Sequence, residues 1–453
     1  MKVHFIAIGG SVMHQLALAL NAKGYQVTGS DDEIFEPART NLLNAGILPS
    51  AVGWMPEKIS EDLDAVILGM HAKSDNPELE RSIQLKLKIH SFPGYIFEES
   101  KDKKRVVVGG SHGKTTTTSM IMHVLKKSGK LFDYLVGAKL EGFERSVSIT
   151  NAPVIVCEGD EYPASALEKI PKFHFLFPHI AILTGIAWDH INVFPTFPFY
   201  LEQFSIFITK IEPGGLLIFN ETDEELVKLI RQSLRTDLRY QPYNIPTHEI
   251  NEGNTSISIG KETGSIKVFG DHNLLNLHAA FFACRELGIT ARVFVKAMAD
   301  FAGASKRLEL LSQNQWTNVY RDFAHAPSKV KASIDAVKQQ FPERKLMAVL
   351  ELHTYSSLNE KFMTEYHGAM EKADIPIVFY SAHALELKRL PALPVEKVVE
   401  GFGHDNLAVL NVEEGLMRFL RTQSYEHTNV LFMSSGNYDG ADILTFAGEI
   451  TRS

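Results

Sequence analysis

A chain of 453 residues exceeds what one hydrophobic core serves and suits about two to four units, of which three are expected here. Apolar residues at 45% and charged residues at 22% match soluble globular chains and argue against disordered, fibrous and membrane classes. The formal charge of -8 comes without any extended Lys/Arg cluster beyond the short run 101–105, which argues against a nucleic-acid partner, because such binding rests on neutralising phosphates.

Cys157 and Cys284 stand far apart and outside any CxxC spacing, so neither a disulfide framework nor a thiolate zinc site is expected. The opening apolar run, Val3 to Ile8, is too short for the core of a signal peptide. The apolar stretch 173–188 is broken by His174, Pro178 and His179 and falls short of the ~20 clean residues of a membrane span. A cytoplasmic protein with no membrane partner is expected.

Val3 to Ile8 has the pattern of a buried strand, followed by Gly9-Gly10-Ser11 and by apolar residues at helical spacing from Val12 to Leu20. Val27 to Asp31 reads as the next strand and ends in an acid about twenty residues past the glycine turn, as in nucleotide-binding βαβ units. Ala65 to Gly69 repeats the strand signal. The run Gly9 to His14 is not GxGxxG, so a plain structural turn fits these residues as well as a dinucleotide site does.

The charged stretch 101–105 precedes a fresh apolar strand at 106–108 and reads as a linker. Strands are expected at 153–157, 180–184 and 215–219, with a helix at 273–287. A third unit begins near 299, with strands at 317–321, 346–350, 376–380 and 429–433 and helices at 328–340 and 359–372. Strands alternating with helices imply an α/β fold of three units, 1–102, 103–298 and 299–453, each with a mostly parallel sheet flanked by helices. The first and third would be Rossmann-like and the central one of phosphate-loop type.

Gly109-Gly110-Ser111-His112-Gly113-Lys114-Thr115 lies between the strand 106–108 and a helix, which is the context a phosphate loop needs. Glycines let backbone N–H groups approach phosphate oxygens, Lys114 can reach the β and γ phosphates, and Thr115 can ligate Mg²⁺. Val108 occupies the first glycine position of GxxxxGK[ST], so the loop is a variant. Downstream, Glu158-Gly159-Asp160-Glu161 follows a strand with three carboxylates, the oxygen donors Mg²⁺ prefers, although a solvated acidic turn would look the same. Asp189 and His190 stand together past the strand 180–184, and His190 with Glu158 could complete a second metal position.

GSHGKTTTT at 110–118, EGDE at 158–161, WDHIN at 188–192, GDHNLLNLHAA at 270–280 and RDFAHAP at 321–327 occur in the order and rough spacing of the Mur ligases, which the chain resembles over nearly its whole length. HFIAIGGSVMHQLA with GYQVTGSD further resembles the UDP-binding domain of the family's alanine-adding and murein-peptide branches. The resemblance implies an ATP- and Mg²⁺-dependent ligase of peptidoglycan biosynthesis or recycling. It would join the UDP-N-acetylmuramate carboxylate, through an acyl phosphate, to the L-alanine amine of a tripeptide, L-Ala-γ-D-Glu-meso-diaminopimelate. Free L-alanine is the close alternative. A nucleotide-binding regulator that kept the fold without turnover is the alternative of a different class.

By the same likeness, Gly110, Ser111, His112, Gly113, Lys114, Thr115 and Thr116 would hold the ATP phosphates. Thr115, Glu158 and His190 would hold metal, and Lys114, Glu158, His190, Arg307 and His325 would be catalytic. His272, Asn273 and Asn276 match the adenine segment, and Asp322 a ribose or closure acid. On its own residues Asn273 equally suits a helix cap, and Arg307 a surface charge. Gly10, Ser11, Met13, Asp31 and His71 would bind the UDP-sugar. A monomer or weak homodimer is expected.

Several departures bear on the amine site. Ser205 stands at the distance where several Mur ligases carry a carbamylated lysine, and the nearest lysine is Lys210, so no carbamylation is expected. The segment 352–357 lacks the arginine of the alanine-adding enzymes, and Ala326 breaks their double histidine. Ser11-Val12-Met13 resembles the recycling ligases, and Met433 to Asn437 resembles the family's Met-Ser-x-Gly segment.

Overall fold

The computed structural model describes residues 1–138, 140–165, 169–188, 193–233 and 235–452. Among these residues, three mostly parallel α/β sheets follow one another along the chain. The first comprises β1 (Lys2–Ile6), β2 (Gln26–Ser30), β3 (Ala65–Leu68) and β4 (Ile89–Ser91), all parallel, in the order β2-β1-β3-β4. β1 ends two residues before the sequence pattern does. Ala7 takes a left-handed φ of 67°, and the N–H groups of Ala7 and Ile8 both donate to Ser30 O at 3.0 Å, which breaks the pleat. The strand order departs in opposite directions from β1, so the crevice beyond the carboxyl ends of β1 and β3 is a topological switch point, where open α/β sheets bind ligands.

The second sheet comprises β5 (Lys104–Gly109), β6 (Asp133–Leu135), β7 (Val147–Ser148), β8 (Val154–Glu158), β9 (Ile180–Leu183), β10 (Leu216–Asn220) and β11 (Arg239–Tyr243). Its order is β11-β10-β9-β5-β8-β6-β7, parallel except at the β6/β7 edge. Val106 to Val108 and Ile180 to Leu183 are fully buried, the continuous apolar runs of strands covered on both faces.

A small antiparallel sheet, β12 (Thr247–Asn251), β13 (Asn254–Ile259) and β14 (Glu262–Ile266), comes next and was not expected from sequence. Its signals are local: Glu252 and Gly253 both have positive φ, at 49° and 76°, in a two-residue hairpin turn, and β13 alternates buried and part-exposed residues. The third sheet comprises β15 (Glu309–Gln313), β16 (Asn318–Asp322), β17 (Lys345–Glu351), β18 (Ile375–Phe379), β19 (Ala408–Leu410) and β20 (Thr428–Met433), in the order β15-β16-β20-β17-β18-β19. β15 is its antiparallel edge.

The expected helix over 359–372 is instead a 3₁₀ stretch, Glu360–Tyr366. Met363 and Tyr366 are buried three apart, the spacing that lines up on one side of a 3₁₀ turn, and Gly368 at φ 69° follows. By packing, Met1–Asn244 and Leu275–Ala297 form one compact unit, and Ile245–Leu274 and Met298–Ser453 another. The β12–β14 segment thus packs with the C-terminal unit, whereas its place in sequence put it with the central one. Among the described residues no helix is long and apolar enough to cross a membrane.

Candidate active site

The phosphate-loop reading has a geometric basis. β5 runs into a loop in which Gly110 takes φ 129° and Gly113 φ 79°, and helix Lys114–Lys127 starts directly after it. Both glycines are required by space as well as by conformation. A Cβ on Gly110 would lie 2.1 Å from Thr184 Oγ1, and one on Gly113 would lie 2.2 Å from Asn276 Oδ1. Asn276, expected near adenine, is therefore packed directly behind the loop.

Ser111 is buried and holds the loop in place: its hydroxyl pairs with Tyr200 OH at 2.8 Å and accepts from Ala187 N at 2.9 Å. Thr184 donates to Gly109 O at 3.2 Å and also to His112 O. Tyr200 and Thr184 were not singled out from sequence, because their partners lie 89 and 72–75 residues away.

The carboxylates of 158–161 stand beside this helix start. Thr115 Oγ1 donates to Glu158 Oε1 at 2.7 Å, and Gly137 N donates to Glu158 Oε2 at 2.8 Å. Lys114 Nζ lies 2.8 Å from Glu161 Oε2 and 2.6 Å from Gly110 O. Burial pulls the Lys114 pKa down, but the opposing charge and hydrogen bond of Glu161, with Asp160 and Glu158 behind, hold it above its ordinary value. Asp160 pairs with Lys172 at 2.6 Å. A hydroxyl and a carboxylate side by side form the hard, all-oxygen donor set that suits Mg²⁺, which ordinarily takes only one or two protein carboxylates and fills its other positions with water and phosphate. Asp189 and His190, expected to add a further metal ligand, lie outside the described residues.

In the first sheet, the expected UDP-sugar residues fall at carboxyl ends of parallel strands: Gly10, Ser11 and Met13 after β1, Asp31 after β2 and His71 after β3. Gly9 N donates to Asp31 Oδ2 at 2.7 Å, and a Cβ on Gly9 would come within 2.9 Å of that oxygen. Gly9 is thus the glycine that the acid requires. Burial pushes the Asp31 carboxyl up to about 6, with Asp32 adding to the rise and the Gly9 hydrogen bond opposing it. Ser11 and His71 are exposed, whereas the Met13 side chain belongs to the core, leaving only its backbone for a ligand.

In the C-terminal unit, Asp322 closes β16, and its Oδ1 accepts from Phe323 N at 2.8 Å and Leu308 N at 3.2 Å while Ser333 donates to Oδ2. The carboxylate thereby shapes the turn that carries Arg307, whose neighbours Lys306 and Leu308 have φ of 56° and 47°. Arg307 lies over the Phe323 ring at 4.8 Å, and His325 packs edge-on to the same ring at 5.3 Å. Arg307, Phe323 and His325 are therefore brought together, which favours a placed side chain over a free surface charge. Asn273 does not cap its helix through an accepting oxygen; its Nδ2 donates back to Phe269 O at 2.9 Å. Burial lowers the His272 pKa against the pull of Asp322 and Asp271. Glu351, ending β17, accepts from Tyr438 N at 2.9 Å and from Ser434 Oγ and stands 3.6 Å from His353 Nδ1, a polar cluster that sequence reading did not assemble.

Comparison with known proteins places the chain in a family. Three family descriptions match in sequence: "Mur ligase family, catalytic domain" over residues 2–99, "Mur ligase middle domain" over 108–284, and "Mur ligase, glutamate ligase domain" over 306–436. A UDP-N-acetylmuramate–L-alanine ligase of Aquifex aeolicus is 31% identical over 365 residues, 78% of each chain. The structure of the UDP-N-acetylmuramate–alanine ligase of Thermotoga maritima matches in fold with a TM-score of 0.68, at 23% identity, over 100% of this chain and 98% of that one. The UDP-N-acetylmuramate:L-alanyl-gamma-D-glutamyl-meso-diaminopimelate ligase of Neisseria meningitides is 26% identical, with a TM-score of 0.59, over 66% of this chain and 98% of that one. With matches spread across all three sheets, the chain belongs to the Mur ligase family and is an ATP-dependent, ADP-forming carbon–nitrogen ligase of peptidoglycan synthesis.

Proposed function

We propose that the chain joins the carboxylate of UDP-N-acetylmuramate to the amine of free L-alanine in the cytoplasm. The observation that carries the ligase chemistry is the set of Lys114, Thr115 and Glu158 at one helix start, and the name of the 31% identical relative supports the alanine. This reverses the order expected from sequence, where the tripeptide came first. The tripeptide remains the second reading, favoured by the bulky Val12 turn and the likeness to the Neisseria enzyme. The regulator without turnover has no support among the relatives.

The sugar's carboxylate attacks the γ-phosphorus of ATP, breaking its bond to the β–γ bridging oxygen and releasing ADP, to give an acyl phosphate. The amine then attacks the acyl carbon, and the tetrahedral intermediate loses the amine proton and expels inorganic phosphate as the amide forms. Two anions must meet, so the loop N–H groups of residues 112–116 and the Lys114 ammonium offset charge where it builds up, the Ser111 N–H being taken by Gly185 O at 2.9 Å. Mg²⁺ held by Thr115 and Glu158, with His190 as a further ligand, would supply added positive charge on the phosphate oxygens. Asn276, His272 and Asn273 are assigned to the adenine, Asp322 to the ribose and to the turn bearing Arg307, Arg307 to the phosphates, and His325 to the reacting centre. Gly10, Ser11, Asp31, His71 and the Met13 backbone are assigned to the UDP-sugar, in a division of the chain at 1–102, 103–298 and 299–453 from which Ile245–Leu274 departs by packing with the C-terminal unit.

Phosphate release from ATP with UDP-N-acetylmuramate tests the reading, with L-alanine compared against L-Ala-γ-D-Glu-meso-diaminopimelate. Stimulation by L-alanine is expected. Stimulation by the tripeptide alone would exchange the two readings, and stimulation by neither would remove both.

A further inference from the structure

The three carboxylates of 158–161 do not act as one acidic patch. Glu158 is engaged by Thr115 and Gly137, Asp160 by Lys172, and Glu161 by Lys114. The Glu161 carboxylate straddles the ammonium, with its two oxygens at 3.0 and 2.8 Å, and Gly110 O takes a further hydrogen bond at 2.6 Å. The lysine that must meet the triphosphate is thus already bound to an anion. The Glu161 side chain is 1% exposed and that of Lys114 14%, so the pair is shielded from solvent, where a charge left unpaired is costly.

We propose that Glu161 is a positioning residue that parks Lys114 against the phosphate loop, so that nucleotide entry exchanges the carboxylate for phosphate oxygens and Glu161 recaptures the lysine as ADP leaves. The inference rests on reading the loop as the ATP site. Parking keeps the ammonium folded over Gly110 O instead of extended into solvent, and it weakens nucleotide binding by the fraction of time Lys114 is held. In a ligase that must shed ADP each turn, weaker binding favours release.

Direct ADP binding to the intact protein, followed by fluorescent-nucleotide displacement, tests this without requiring turnover. If Lys114 is free about a tenth of the time, Glu161→Gln tightens ADP about tenfold. The same variant should lower the KM for ATP, and it should slow kcat where product release limits. Unchanged or weaker ADP binding by a folded Glu161→Gln protein overturns the proposal. So does a collapse of kcat with ADP affinity unaltered, which would make Glu161 part of the chemistry. Should Glu161→Gln fail to fold, Glu161→Asp keeps the charge but lengthens the pair, and it should tighten ADP about twofold; no tightening overturns the proposal equally. Failure of the wild-type protein to bind ADP would instead refute the loop's assignment.

Discussion

Gly113→Ala should damage both the fold and the chemistry, by amounts the structure allows to be worked out. Gly113 sits at φ 79°, and left-handed backbone costs an L-residue roughly 1–2 kcal/mol. The added Cβ would also fall 2.2 Å from Asn276 Oδ1, roughly 1 Å or more inside comfortable contact, and 3.0 Å from its Cγ, roughly 0.5–1 Å inside. Overpacking of this kind costs about 1–3 kcal/mol, so a total loss of about 2–5 kcal/mol is expected in denaturant unfolding. Because Gly113 precedes Lys114 directly, the strain is relieved by moving the N–H groups meant for phosphate. A shift of about 1 Å there should lower turnover by about 100-fold. The second variant Asn276→Ala removes the clash but not the backbone penalty. In a double-mutant cycle it should return about 1–3 kcal/mol of the stability and no more. Gly113→Ala with wild-type stability and turnover would refute the close approach. Complete rescue by Asn276→Ala would refute the conformational part.

Three further outcomes are expected. Lys114→Ala should abolish ATP-dependent phosphate release while calorimetry still detects UDP-N-acetylmuramate, since that sugar is assigned to the first sheet; loss of sugar binding by the folded variant would count against this division. Tyr200→Phe removes one partner of the buried Ser111 hydroxyl and should cost about 1–2 kcal/mol in unfolding with turnover reduced only a few-fold, because Ala187 N still donates to Ser111. Asp31→Asn should flatten part of the pH profile of stability. With its carboxyl raised to about 6 from 3.8, the folded wild type binds more protons than the unfolded chain, so its stability should fall as pH rises through that window. Equal slopes for variant and wild type between pH 4 and 6 would show that Asp31 is not the group responsible.

What could be read from the residues alone was whatever lies close together along the chain. The strand, glycines and Lys-Thr of 106–115 are contiguous, so the phosphate loop was legible even with Val108 in place of a glycine. The switch-point strands of the first sheet were legible for the same reason, each being a short apolar run ended by Gly or Asp. Ser111 shows the opposite case. It was assigned to phosphate, yet its hydroxyl is held by Tyr200, 89 residues away, and no local pattern announces that pair. Glu351, Ser434 and His353 likewise meet only because β17 and β20 are sheet neighbours. The β12–β14 hairpins differ, since their alternation and their Glu252-Gly253 turn were visible and went unread.

The acids of 158–161 show how structure divides a signal that sequence presents as one. In the chain they are interchangeable, three carboxylates following a strand, and Mg²⁺ binding is the natural reading of all of them. The backbone turn after β8 separates them: Glu158 faces a hydroxyl and an N–H, Asp160 faces Lys172, and Glu161 faces the loop lysine. Only the first has a hydroxyl oxygen beside it, in Thr115, of the kind a hard cation shares. The other two already neutralise ammonium groups, and Mg²⁺ could recruit them only in competition with Lys172 and Lys114. On the proposed assignments metal binding and lysine control would be separate tasks of neighbouring residues, and substituting Glu158 should alter the Mg²⁺ dependence of turnover where substituting Glu161 alters nucleotide affinity.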